Sequence, residues 1–133
     1  MSSLFTRILS AQAPGHVLWQ DALCFCLLAS KPLREGHVLV IPKVEIDFWD
    51  EMEPPLNAHI FHVSASISRI LRGLFPCRKV GMMIGGLEVR HAHIHLIPIE
   101  SVSELDFSRA AARSDAEQEG TAQRIREALS AHD

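Results

Sequence analysis

Apolar and polar positions follow two different periods along this chain. Residues 4–10 (LFTRILS) place Phe5, Ile8 and Leu9 on one helical face, which predicts a short amphipathic helix ended by the Pro14-Gly15 turn. Residues 16–19 and 23–28 are β-prone runs joined at Gln20-Asp21, a hairpin pattern. A loop over 31–36, with Pro32 and Gly36, leads into a third strand at 37–41 (HVLVI), closed by Pro42. Residues 45–52 predict a short helix with Phe48 and Trp49 as its apolar positions. Pro54-Pro55 suits a helix start. From there Leu56, Ile60, Val63, Ile67, Ile70 and Leu74 recur at three- and four-residue steps, the longest helical period in the chain, stopped by Pro76. Residues 79–84 (KVGMMI) predict a strand before Gly85-Gly86, and 89–98 (VRHAHIHLIP) alternate strictly, predicting another. The tail opens irregularly at Ser101 and closes in a helix with Ile125 and Leu129 at i, i+4 spacing. The order β-β-β-α-β-β with terminal helices predicts an α+β fold: an antiparallel sheet of about five strands packed by one long helix. One domain is expected over 1–133, with its core at about 4–100 and a C-terminal tail and helix over 101–133.

Composition narrows the function classes. The chain has 133 residues, 47% of them apolar, enough for one buried core without disulfide or metal staples and too apolar for wholesale disorder. Its net charge is −3, so the basic surplus of a nucleic-acid binder is missing and no nucleic-acid partner is expected. No apolar run approaches the roughly 18 residues of a membrane span, and residues 1–10 lack the charged start and apolar stretch of a signal peptide. The expected location is cytoplasmic, with no membrane partner. Three cysteines, two of them (Cys24 and Cys26) one residue apart, fit a reducing compartment; both read as core packing, as do Met82 and Met83.

Histidine changes the picture: there are 8, and no Tyr. His91, His93 and His95 stand at i, i+2 and i+4, so on a strand all three imidazoles project from one face, neighbours about 7 Å apart. Ala92, Ile94 and Leu96 then point into a core, and a one-residue slip would bury the imidazoles instead. Such a row offers a neutral nucleophilic nitrogen beside donors for phosphoryl oxygens. A zinc site is the rival reading; against it, no carboxylate sits at a matching offset, and one strand converges three ligands poorly. His59 and His62, one turn apart on the long helix, read as a half-exposed face, and Arg109, Arg113, Asp115, Glu117 and Glu119 as a solvated one.

Three blocks carry a family resemblance. His91-Ala92-His93-Ile94-His95-Leu96-Ile97 resembles the His-x-His-x-His-x-x signature of the histidine-triad (HIT) family. Residues 31–43 (KPLREGHVLVIPK) are similar to its Gly-His loop and strand, and 4–9 to its N-terminal helix. The resemblance implies a nucleotidyl hydrolase or transferase acting on nucleoside phosphoramidates, dinucleoside polyphosphates or similar conjugates. In that scheme His93 attacks the α-phosphorus, His95 contacts phosphoryl oxygens and helps protonate the leaving group, and His91 and His37 set the tautomers. It further implies no cofactor, no metal, and a homodimer formed by sheet extension. The implied nucleotide-binding positions are Leu4, Phe5, Ile8 and Leu28 for the base. Ala29 stands where the family carries a ribose-binding Asp or Asn, with Ser30 taking part of that role. Glu88 and Arg90 lie in a phosphate loop shorter than the family's. A nucleotide-binding protein of the same fold with little turnover is the alternative those departures suggest.

Overall fold

The computed structural model describes residues 2–131. Strands β1 (Val17–Gln20), β2 (Cys24–Leu28), β3 (Val38–Pro42), β4 (Lys79–Met83) and β5 (Ile94–Ile99) form one antiparallel sheet in the order β1-β2-β3-β5-β4. Three α-helices are found among the described residues: α1 (Leu4–Leu9), α2 (Pro54–Leu74) and α3 (Asp115–Ala131). The architecture is α+β, as the element order predicts. No helix of the described residues is long and apolar enough to cross a membrane.

Both faces of the central strands are covered, which is why CFCLL and VLVIP are almost continuously apolar. Cys24, Cys26, Leu28, Val38, Val40, Ile94 and Leu96 pack with Ile60, Val63, Ile67 and Leu71 of α2. Ala122, Ile125 and Leu129 of α3 join the same core. Phe25, Leu27, Leu39 and Ile41 face the other way and pack with Phe5 of α1 and with Ala29. Helix α2 begins with prolines at its first positions, where a missing N–H costs nothing. It ends at Phe75, whose backbone is extended, before Pro76. Gly36 turns the chain between β2 and β3 with φ +88°, and a Cβ there would lie 2.6 Å from the Phe75 ring, so only glycine fits.

The sheet departs from the sequence expectation in three places. Residues 45–52 form no α-helix, only a 3₁₀ turn at Trp49–Glu51, and Phe48 and Trp49 stay exposed. The strand expected at 89–98 begins at Ile94. Pro42 has no N–H to extend the β3–β5 ladder, and Ala92 N–H bonds instead to Ile46 C=O at 2.7 Å. His91 and His93 therefore precede the ladder, and only His95 lies within it. Met82, expected in the core, is 43% exposed because β4 is an edge strand.

Candidate active site

Pairing of β3 with β5 sets Leu39 opposite His95, on the face away from α2. The Gly36 turn delivers His37 beside it. His37 is 1% exposed, and its Nε2 lies 2.9 Å from His95 Nδ1. His91 is fully buried against Phe25 and Phe5. Phe5 also stands edge-on to His93, their centroids 4.8 Å apart, and His93 meets His95 at the same distance.

Backbone groups fix the tautomers of His37, His91 and His93, because an N–H can only donate and a C=O can only accept, and His37 in turn fixes that of His95. Leu33 N–H donates to His37 Nδ1 at 3.0 Å, so the His37 proton sits on Nε2 and is donated to His95 Nδ1. The His95 proton then sits on Nε2. His91 Nε2 donates to the Pro42 carbonyl at 2.7 Å, leaving its Nδ1 to accept the Ser3 hydroxyl at 2.6 Å. Ser3 is itself the N-cap of α1, its hydroxyl accepting Thr6 N–H. His93 Nδ1 donates to the His91 carbonyl at 2.7 Å, so His93 Nε2 carries a lone pair. Among the described residues, Nε2 of His93 and of His95 have no protein partner and neither is buried.

Burial favours the neutral form of His37, His93 and His95. It pushes His37 down to about 4 and His95 down to about 3, with neighbouring imidazoles adding to both shifts. His93 is also lowered, chiefly by burial. The result is a neutral nucleophilic nitrogen on His93 beside an N–H donor on His95, both opening on a cavity of about 400 Å³. The row assembles no metal cage: both His91 nitrogens and both His37 nitrogens are already spent on hydrogen bonds.

A HIT-domain family model matches residues 10–102. The chain belongs to the histidine-triad (HIT) family. It is 28% identical over 100 residues to the adenylylsulfatase HINT3 of Arabidopsis thaliana, matching 71% of this chain but only 51% of that protein, about half its length. An uncharacterised HIT-like protein of Borreliella burgdorferi is 30% identical over 102 residues, covering 71% of this chain and 73% of its own length. A zinc-bound histidine triad family protein from Mycobacterium smegmatis superposes with a TM-score of 0.81 at 28% identity, over 100% of this chain and 96% of that one.

Of the HIT positions singled out in the sequence, Leu4, Phe5, Ala29, Ser30, Glu88, His93 and His95 line the cavity. His91 and His37 stand behind it, His37 hydrogen-bonded to the His95 ring and His91 to His93 through its backbone carbonyl. Three positions lie elsewhere. Leu28 points to α2, because the strand alternation sends it to the opposite face from Leu27. Ile8 packs over Gly15 and lines a separate depression with Pro14 and Val17. Arg90 lines another hollow with Asp47 and Trp49, and no ion pair among the described residues joins it to Glu88. The Glu88 carboxylate therefore stands in the wall without a cation. Lys31, Leu39 and Phe107 also line the cavity and were missed. Leu39 was legible from its alternation in β3. Phe107, whose ring lies 4.9 Å from that of His95, comes from an irregular tail with no periodic signal.

Proposed function

We propose that this HIT protein is a nucleotidyl hydrolase or transferase that cleaves nucleoside phosphoramidates, dinucleoside polyphosphates or similar conjugates through a nucleotidyl-histidine intermediate. One observation carries the reading: the His93 Nδ1–H bond to the His91 carbonyl leaves the Nε2 lone pair aimed at open space, next to the His95 Nε2–H. The Nε2–P bond forms as the bond to the leaving group breaks. His95 offers its N–H to the departing atom, where charge gathers. Water then releases the nucleoside monophosphate and restores His93. Phe5 and Leu4 offer an apolar wall for the base, and Ser30 and Lys31 are the polar groups nearest Ala29 for the sugar. The exposed edge of β4 is the surface through which two chains would extend one sheet into a homodimer; light scattering of the purified protein tests that.

An adenosine phosphoramidate is the first probe, and the adenylylsulfatase among the relatives supports an adenylyl group. Wild type should release AMP and yield a trapped adenylylated protein in an acid quench, and His93→Ala should do neither. Equal turnover by wild type and His93→Ala overturns the reading. Binding of AMP by calorimetry with no turnover of phosphoramidate or dinucleoside polyphosphate favours instead a nucleotide-binding protein of this fold.

A further inference from the structure

On the opposite side of the sheet from the triad, the β1–β2 turn meets helix α2 through three groups of metal-ligating chemistry. We propose that Asp21, Cys24 and His59 form a zinc-class divalent metal site that ties this turn to α2. Asp21 Oδ2, Cys24 Sγ and His59 Nε2 lie within 4.8 Å of one another, a grouping found nowhere else among the described residues. Tetrahedral zinc, with bonds of about 2.0–2.3 Å, holds its donors roughly 3.3–3.8 Å apart, so small side-chain rotations close the site without moving backbone.

The carboxylate is already aimed. Asp21 Oδ1 accepts the N–H groups of Leu23 and Cys24, each at 2.8 Å, which turns Oδ2 toward His59 Nε2 at 2.6 Å. That pair alone would be an ordinary ion pair clipping a turn to a helix. The third group sets it apart. Cys24 is fully buried, and its thiol lies beside the same carboxylate, the two acids sharing one corner with a lone imidazole. A fully buried thiol beside a carboxylate holds its proton unless a cation neutralises the sulfur. A divalent ion takes the place of that proton, which leaves to solvent as the Cys24–metal bond forms. Thiolate, imidazole and carboxylate together suit zinc, and the sulfur disfavours calcium and magnesium. The Asp21 and His59 side chains are 27% and 30% exposed, which leaves an entry path and room for a water as fourth ligand. Alternation in β2 turns Cys24 toward α2, whereas His95 faces away, so this site is independent of the phosphate chemistry.

Cobalt(II) titration of the full chain carrying no polyhistidine tag is the test. One equivalent should bind with the visible absorption of a tetrahedral site and a near-ultraviolet thiolate-to-cobalt band, and zinc should displace it. His59→Gln and Asp21→Asn change half-exposed groups, and each should abolish the thiolate band, while His93→Gln should retain it. Zinc should also raise Tm in wild type and leave His59→Gln unmoved. Absence of a thiolate band in wild type, or equal binding by wild type and His59→Gln, overturns the proposal.

Discussion

Mild acid should destabilise this protein through its buried histidine cluster. In the unfolded chain His37 and His95 each take up a proton as the pH falls past about 6.5. In the folded chain they do not: burial holds His37 near about 4 and His95 near about 3. The unfolded state then binds more protons, so stability falls as pH falls, starting near the unfolded value and continuing down to the folded ones. A pH of about 5 lies about 1.5 units below the unfolded pKa of each ring, a loss of about 2 kcal/mol apiece. The His95 share is trimmed because its outer edge reaches the cavity, giving about 3–4 kcal/mol for the pair. The carboxyls of Glu104, Glu117 and Glu119 are held below their usual range, so they add little in this window. Urea titrations followed by the fluorescence of Trp19 and Trp49, at about pH 7.5 and about pH 5, give the change for wild type and for His37→Gln/His95→Gln. The variant's overall stability is immaterial; only its pH dependence matters, and it should be flatter by about 3–4 kcal/mol. Parallel pH dependence in the two proteins refutes the claim that these rings are buried neutral.

Other perturbations test separate links. Ser3→Ala removes the α1 cap and the donor to His91 Nδ1, and should lower stability by about 2 kcal/mol in urea titrations. Gly36→Ala forces a positive φ on alanine and drives its Cβ into Phe75, so a loss of about 3 kcal/mol or more, with a corresponding drop in Tm, is expected. Because burial lowers the His93 pKa, kcat/KM for adenosine phosphoramidate should fall less between about pH 7.5 and about pH 6 than it would for an imidazole titrating at about 6.5. Phe107→Ala opens the ring contact to His95 and should raise KM more than it lowers kcat, measured by steady-state kinetics.

Much of this molecule is written locally. The apolar, β-prone runs at β2 and β3, the long helical stripe of α2 and the proline and glycine punctuation are short-range physics, and each reappears where the pattern put it. The alternating His91, His93 and His95 pointed to a candidate site, because few structural reasons put three imidazoles at that spacing, and His93 and His95 do line a cavity. Which nitrogen of each ring carries the proton was beyond the sequence. That depends on the Leu33 amide and the Pro42 and His91 carbonyls, groups every sequence possesses and only folding aims. Folding also decided that the strand starts at Ile94, since the absent Pro42 N–H matters only once β3 lies beside β5. It sent Leu28 and Arg90 away from the cavity and brought in Phe107 from the tail, because alternation names two faces of a strand without saying what will cover either. The sequence supplied the imidazoles; long-range packing alone gave them direction, dryness and a fixed proton.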